Sequence, residues 1–424
     1  MLIRGFAITL VAFVQCIICH AGDWPSFRGP TGNGISPENA LPAEWGSDQN
    51  IVWKVALPHP GNGSPIVCNG RVFLTVANEQ GTKRSLYCFD RNNGDELWVR
   101  DVALDKAMPT HKTNPHGSST PVSDGKHVVA WHNSAGLYCY DFSGKKLWSR
   151  DLGEFKHMWG YGSSPVIYKD HVILNAGPGK RVFVTAINLE NGETLWEKDE
   201  PQDGDGQSRA SDKAYVGSWS TPIVTKINGS DQIVCTMPTR VNGYDPASGD
   251  IIWSCDGIRG PKGDLAYSSP LIADGFCVAF GGFKGPAIGL KIEGTGNLTD
   301  SSRVWRREAK NPQSIGSGVF LDGHVFRANA GPGTIECLDP KTGKAVWSDR
   351  AAGDVHWGSV VSADGKLYVI NQSGTTIVFK PNPKRYEEIA RNELRETCNT
   401  TPALSDGQIF IRTYEHLYCI GKSP

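Results

Sequence analysis

The stretch CFDRNNGDELW, Cys88–Trp98, contains the pattern that decides the fold. A small residue is followed two positions later by an acid, four positions after that by a glycine, and after four more by a tryptophan. Asp and Asn side chains bond to the backbone of their own turn, and Gly adopts positive φ without strain. The pattern, which we call the turn phrase, therefore predicts two antiparallel strands joined by a tight turn, with the Trp on the second strand.

Copies of the turn phrase recur along the chain. They are AINLENGETLW (Ala186–Trp196), GYDPASGDIIW (Gly243–Trp253), CLDPKTGKAVW (Cys337–Trp347) and a shorter copy with Cys139, Asp141, Gly144 and Trp148. The steps between successive tryptophans at 53, 98, 148, 196, 253, 305 and 347 are 45, 50, 48, 57, 52 and 42 residues. This is the period of propeller blades. The repeat predicts one all-β propeller, although 424 residues would permit two or three ordinary domains.

Each repeat begins with a Ser/Thr-Pro pair followed by a β-branched strand. These pairs are Ser64-Pro65, Thr120-Pro121, Ser164-Pro165, Thr221-Pro222, Ser269-Pro270 and Thr401-Pro402. We expect two more strand starts that have lost the proline, at Gly318-Val319 and Ser359-Val360. Eight starts predict eight four-stranded blades. The seventh blade departs most, with RYEEI at residues 385–389 where a turn and Trp are expected.

The two ends of the repeat region complement each other. The last blade runs to His416–Ile420 and has no Trp strand after it, whereas residues 51–55, around Trp53, form a Trp strand with no repeat before it. We expect this N-terminal strand to complete the last blade, because closing the ring removes an exposed sheet edge. The propeller domain is then residues 51–424, and the Gly- and Pro-rich residues 22–50 form an N-terminal strap across it.

Residues 1–21 have the order of a secretory signal peptide. Arg4 precedes an apolar run from Gly5 to Cys19, and small residues end the segment. The run is shorter than the roughly 20 residues that a membrane span needs. No small residue directly precedes either of its cysteines, as a lipid-attachment signal would require. We expect cleavage after Ala21 and an exported protein, periplasmic or extracellular, without a lipid anchor or a membrane span.

Charge and cysteine content narrow the possible partners. Lys and Arg number 43 against 44 Asp and Glu, so no basic field favours nucleic acid. Nine cysteines follow residue 21, with no C-x-x-C and no adjacent pair. They are better explained as small buried side chains than as disulfides or metal ligands. If any disulfide exists, Cys235 and Cys255 are the preferred pair.

The tandem turn phrase with Ser/Thr-Pro strand starts resembles the pyrroloquinoline quinone (PQQ) repeat of quinoprotein-type propellers, over about residues 51–421. Three further stretches are similar to exported bacterial "PQQ-binding-like β-propeller repeat" proteins: Trp24–Pro30, His157–Pro165 and Ile411–Gly421. The resemblance implies an eight-bladed propeller. It does not by itself imply a bound quinone, since fold and function are separable.

Two branches of the resembled family suggest different functions. PQQ alcohol dehydrogenases use an adjacent Cys-Cys disulfide over the quinone, a calcium held by Glu, Asn and Asp, and a catalytic Asp, and this chain has no adjacent cysteines. The propeller subunit of the outer-membrane assembly machinery is a lipoprotein, and this chain lacks the lipid signal. We therefore favour a non-catalytic scaffold that binds a small ligand or a protein. The alternative is a PQQ- and calcium-dependent alcohol or sugar dehydrogenase with a reduced active site.

Residues just before each strand start should surround one mouth of the central channel. The side chains there combine aromatic faces with neutral polar edges, which suits a flat cofactor, a sugar or a peptide segment. We expect a ligand funnel formed by His116, His157, Trp159, Tyr161, Trp219, Tyr267, Asn311, Gln313, His356, Trp357 and Asn399. The same loops contain His59, Asn62, His111 and Asn114.

The sequence gives less support for charged ligand-binding residues and for metal ligands than for the aromatic funnel. If the ligand were a quinone, Arg209 or Lys262 would meet its carboxylates. Three histidines, His111, His116 and His157, are conceivable ligands for zinc or copper, but nothing in their spacing enforces a site. We predict no metal site, and the catalytic residues of an enzyme cannot be assigned from the sequence.

Overall fold

The computed structural model describes residues 22–47, 49–308, 312–351 and 353–422. The expected signal peptide, residues 1–21, lies outside them, as does Asn311 of the expected funnel. Within the described residues, the only regular structure other than β-strand is a short 3-10 helix at Asn133–Ala135. The all-β prediction is confirmed.

Eight antiparallel sheets of at least four strands form the blades of a propeller. Blades 1 and 2 comprise Ile66–Cys68, Arg71–Ala77, Lys83–Asp90 and Glu96–Ala103, then Val122–Ser123, His127–Trp131, Leu137–Asp141 and Lys146–Arg150. Blades 3 and 4 comprise Val166–Tyr168, His171–Ala176, Phe183–Asn188 and Thr194–Asp199, then Ile223–Ile227, Ser230–Thr236, Arg240–Tyr244 and Ile251–Asp256. Blades 5 and 6 comprise Leu271–Ala273, Phe276–Phe280, Ala287–Lys291 and Arg303–Arg307, then Val319–Leu321, His324–Ala328, Ile335–Leu338 and Ala345–Asp349.

The last two blades complete the ring. They comprise Val361–Ala363, Lys366–Ile370, Thr375–Phe379 and Glu388–Glu393, then Ala403–Ser405, Gln408–Arg412, His416–Ile420 and the N-terminal strand Ile51–Ala56. This N-terminal strand pairs antiparallel with His416–Ile420, and Trp53 lies opposite Cys419. The predicted eight blades and the predicted closure are therefore confirmed. The two ends of the propeller chain thus meet in one blade, which closes the ring non-covalently.

A hydrogen bond from the Trp indole joins most blades to the next. In blade 2 the indole N–H of Trp148 donates to the Leu189 carbonyl of blade 3, at 2.7 Å. Gly192 in that next turn has φ 76°, and a Cβ added there would lie 2.8 Å from the Trp148 ring. The turn glycine is thus required both by its backbone and by the indole. The same indole-to-carbonyl bond joins Trp53 to Arg91, Trp98 to Phe142, Trp196 to Pro246, Trp305 to Pro340 and Trp347 to Asn382.

Two blades depart from this arrangement. Trp253 in blade 4 donates within its own blade, to Gln232 Oε1 at 2.8 Å. Blade 5 has no turn phrase to receive it, and instead the segment Gly296–Asn297 pairs in parallel with the Trp253 strand. Blade 7 has no Trp. Ala390 stands at the equivalent position, opposite Val378, and Tyr386 before it lies 5.8 Å from the Trp347 ring of blade 6.

Two expectations need correction. In blade 6 the strand begins at Val319, so the strand start equivalent to Ser/Thr-Pro is Ser317-Gly318, one residue earlier than expected. The preferred disulfide is wrong: none of the nine cysteines is disulfide-bonded, and all are buried. Cys235 and Cys255 lie on the second and fourth strands of blade 4. Two strand spacings, about 9–10 Å, exceed the reach of a disulfide.

Candidate functional site

A closed circle of hydroxyl residues surrounds the channel where the innermost strands begin. The backbone N–H of Ser64 donates to Thr120 Oγ1 at 2.9 Å. In all blades but one, the equivalent residue donates in the same way to the hydroxyl oxygen of the next blade. Between blades 4 and 5 the bond is reversed, with Ser269 Oγ donating to the Thr221 carbonyl. Thr401 N–H to Ser64 Oγ, at 2.9 Å, closes the circle. We call this set the hydroxyl belt: Ser64, Thr120, Ser164, Thr221, Ser269, Ser317, Ser359 and Thr401.

The N-terminal strap crosses the propeller on one side of the hydroxyl belt. Trp24 pairs with Val67, Arg28 donates to the Gly318 carbonyl, and Ile35 forms a bridge to Ser362. These partners all follow the hydroxyl belt in their strands, so the strap lies opposite the loops that precede the belt. Phe27 of the strap lines the channel. Phe27 therefore contributes to the cavity from the strap side of the channel.

A second ring of side chains lies two residues before the hydroxyl belt in every blade. Side chains two apart in an extended segment point to the same side, here into the channel. We call this set the inner ring, and all eight members line the same cavity: Asn62, Ser118, Gly162, Trp219, Tyr267, Ile315, Trp357 and Asn399. The cavity has a volume of about 380 Å³. Pockets for small ligands are typically about 300–1,000 Å³.

Seven residues of the expected funnel line this cavity. They are Trp159, Tyr161, Trp219, Tyr267, Gln313, Trp357 and Asn399. Asn62, His111 and Asn114 also line it, together with residues that sequence reasoning did not select: Phe27, Thr113, Ser118, Gly162, Phe283, Ile315, Gly316 and seven members of the hydroxyl belt. The structure thus brings together the aromatic and amide residues of loops from all eight blades.

Aromatic residues from blades 3 to 5 form one wall of the cavity. The rings of Trp219 and Tyr267 lie 5.3 Å apart at 71°, and Trp159 lies 6.0 Å from Trp219. Tyr215 packs behind Trp159 at 4.4 Å. The Trp219 indole donates to the Gly160 carbonyl at 3.0 Å, so its position is fixed.

Amides hold the opposite side of the mouth in shape. Asn114 Nδ2 donates to the carbonyls of Trp159 and Tyr161, at 2.7 and 2.9 Å, while its Oδ1 accepts from Asn62 Nδ2 at 3.1 Å. Asn399 Nδ2 donates to the Tyr414 hydroxyl at 2.9 Å. These amides join the loops of neighbouring blades, and most of their capacity is already used.

The three expected histidines lie behind the wall instead of on it. His116, His157 and His356 are 5%, 1% and 0% exposed and do not line the cavity. His157 meets the Trp219 ring edge-on at 4.8 Å and accepts the Trp159 N–H at 3.1 Å. Burial lowers the pKa of each of the three to about 4, so all are neutral at physiological pH. They support the wall and do not offer a charge to a ligand.

Acidic and basic side chains are missing from the described lining of the cavity. None of its described lining residues is Asp, Glu, Lys or Arg. Arg209 lies elsewhere, in ion pairs with Asp212 at 2.7 Å and Asp264 at 2.9 Å. Lys262 is exposed and does not line the cavity. The expected meeting of Arg209 or Lys262 with a ligand carboxylate therefore does not occur here.

The described lining does not fit PQQ and calcium. A quinone with several carboxylates needs cationic partners, and calcium needs carboxylate oxygens. Neither is among the described lining residues. The one His/Asp/Glu group in the described chain that is close enough for a metal is Glu396, Glu415 and His416, outside the cavity. Glu396 there already accepts from Tyr418 at 2.6 Å and contacts His416 at 2.9 Å.

No helix among the described residues is long and apolar enough to cross a membrane.

Comparison with solved structures supports the fold. BamB from Moraxella catarrhalis matches with a TM-score of 0.61 at 13% identity, over 87% of this chain and 99% of that one. A europium-containing methanol dehydrogenase matches with a TM-score of 0.58 at 10% identity, over 95% and 98%. The quinohemoprotein alcohol dehydrogenase from Comamonas testosteroni matches with 0.56 at 13%, over 97% and 82%. Identities this low establish the shared fold alone.

Comparison with protein families gives a sequence match. No curated protein matches the chain. The family model described as "Outer membrane protein assembly factor BamB" matches residues 39–109, 82–349 and 331–420. These segments cover nearly all of the predicted propeller domain. The chain therefore belongs to the family of PQQ-repeat propellers that this model describes.

Proposed function

We propose that this protein is a non-catalytic binding propeller whose channel takes a small uncharged ligand at its loop-lined mouth. The observation that carries the proposal is the cavity of about 380 Å³, whose described lining, Phe27 included, consists mainly of aromatic and neutral polar side chains. Acid–base catalysis requires a group that titrates near the working pH within reach of the substrate. The buried histidines are neutral and lie behind the wall, and His111 is the single imidazole among the described lining residues.

We further propose that the protein is exported. The order of Arg4, the apolar run and Ala21 supports this, and so does a family description that names an outer-membrane assembly factor. N-terminal sequencing of the protein recovered from a periplasmic or culture fraction is expected to begin at Gly22. A mature chain that begins at Met1 would contradict export.

The quinoprotein alternative differs from this proposal in one assay. The purified protein is incubated with PQQ and calcium, desalted, and examined for quinone absorbance and for dye-linked oxidation of alcohols and sugars. We expect neither retained quinone nor turnover, since no described lining residue offers a charge to hold the carboxylates or the ion. Retained quinone with turnover that Trp357→Ala abolishes would overturn the proposed function. Lys262→Ala is the matched control, because Lys262 lies outside the cavity.

A further inference from the structure

The inner ring is asymmetric across the channel axis. In a ring of eight blades, blade 3 stands opposite blade 7 and blade 4 opposite blade 8. Gly162 of blade 3 therefore faces Trp357 of blade 7, and Trp219 faces Asn399. Trp357, one of the two tryptophans of the inner ring, thus lies across the channel from a glycine. This leaves open space in front of the Trp357 indole.

Local structure does not require glycine at position 162. Its φ lies outside the left-handed region, and a Cβ added there would meet nothing closer than 3.4 Å, an ordinary contact with Trp219. The turn glycines are different, because Gly192 combines positive φ with a contact of 2.8 Å. What Gly162 provides is space in the cavity.

Trp357 is the aromatic residue of the inner ring that its surroundings use least. Trp219 packs against His157, Trp159 and Tyr267, and its N–H is bonded. Trp357 packs against no other aromatic ring of the described chain, and its indole N–H bonds to no described residue. Both its face and its N–H are therefore available in the cavity.

A side-chain amide from the neighbouring blade 6 offers both a donor and an acceptor. Gln313 lines the cavity, and its side-chain amide makes no bond to another described residue. A ligand hydroxyl, which both donates and accepts, can pair with either of its polar atoms.

We infer that the ligand is a neutral saccharide whose ring stacks on Trp357 in the space left by Gly162. This inference rests on the proposed function. A pyranose has an apolar C–H face for an indole and a rim of hydroxyls, and each hydroxyl both donates and accepts. The Gln313 amide supplies a complementary donor and acceptor. The described lining has no acidic or basic side chain, and this disfavours acidic or basic sugars because their charge would be desolvated without a partner.

The test is a glycan array of neutral, acidic and amino sugars, followed by calorimetric titration with the neutral glycans that bind. Riboflavin and adenine are added as uncharged flat heterocycles, and gluconate as an anion. We expect at least one neutral glycan to bind. Trp357→Ala and Gly162→Leu should each weaken it at least tenfold, whereas Lys262→Ala, outside the cavity, leaves affinity within about twofold. Thermal unfolding of each variant separates lost binding from lost fold.

The possible failures can be told apart. Trp357-dependent binding of riboflavin or adenine, without any neutral glycan, would overturn the saccharide inference and leave the proposed function standing. Trp357-dependent binding of gluconate or acidic glycans would overturn both. Binding of no probe by the folded protein would overturn the saccharide inference. A neutral glycan whose affinity is unchanged in both Trp357→Ala and Gly162→Leu would place its site elsewhere and overturn it as well.

Discussion

The tryptophans of the outer strands and those of the inner ring are the same residue in two opposite settings. Trp148 lies at the rim and belongs to the set of tryptophans that recurs with the blade period. Its indole N–H donates to the Leu189 carbonyl of the next blade at 2.7 Å. Trp357 lies at the channel, and only one other blade has a Trp at the equivalent position, Trp219. The indole N–H of Trp357 has no partner among the described residues. The regular Trp residues specify the fold. The irregular ones line the cavity.

The largest expected difference between the two sets is in stability. Trp148→Ala removes a buried indole, a bond between blades and the surface against which Gly192 packs, and should lower the free energy of unfolding by about 3–5 kcal/mol. Urea unfolding followed by circular dichroism measures it. Trp357→Ala is the matched inner variant and should cost much less, because no other ring packs on Trp357. Equal losses in the two variants would remove the distinction between rim and channel.

Much of the fold could be predicted because the turn phrase is a local solution that repeats. Asp or Asn caps the turn, Gly takes positive φ, and Trp reaches the next blade, so each copy carries its own signal. The predicted strand start of blade 6 differs from the observed one by one residue, because this blade lacks the Pro that marks the start in most others. The hydroxyl is the better marker, since Ser317 and Ser359 keep it where Pro is lost.

The candidate site could be predicted only in part because the loops before the hydroxyl belt are irregular. The position two before the belt lines the cavity in every blade, as Trp219 and Trp357 show. Further from the belt the offset does not decide: Tyr161 and His356 both stand three residues before it, yet Tyr161 lines the cavity and His356 does not. The loops there are not extended strands, so the alternation of side chains is lost. Phe27 reaches the cavity through the strap, which no repeat pattern describes.

A pH series should separate the layer behind the inner wall from the rim. The folded pKa of His356 is about 4, below the usual value near 6.5, because of burial. As pH falls below about 6.5 the unfolded state takes up a proton that the folded state does not. Stability is therefore lost from about pH 6.5 down to about pH 4, by about 1.4 kcal/mol per pH unit for each such histidine.

His356→Gln tests this contribution by urea unfolding at several pH values. The variant should show a shallower loss of stability on acidification, by about one histidine's share, whatever its stability at pH 8. Trp148→Ala, which removes no titrating group, should keep the wild-type slope. An unchanged slope in His356→Gln would mean that this side chain titrates normally in the folded protein.

The hydroxyl belt should contribute less per residue. Thr401→Val removes the oxygen that accepts the Ser359 N–H at 2.9 Å, and leaves a buried donor unpaired. The expected cost is about 1–3 kcal/mol. Thr401→Ser keeps the acceptor and should recover most of this stability in the same unfolding experiment. If the serine variant were as unstable as the valine variant, packing of the methyl group and not the belt would explain the loss.

The smallest effect is expected one residue from a rim tryptophan. Leu97 precedes Trp98 on the outermost strand of blade 1 and is 41% exposed, because successive side chains of a strand face opposite sides. Leu147, Leu195, Val304 and Val346 hold the same place in other blades and are similarly exposed. Leu97→Gln should change stability by no more than about 0.5 kcal/mol, as for other exposed surface positions. A loss above 1 kcal/mol, or one that depends on protein concentration, would show that the rim is covered by a second chain and that its regular positions also serve recognition.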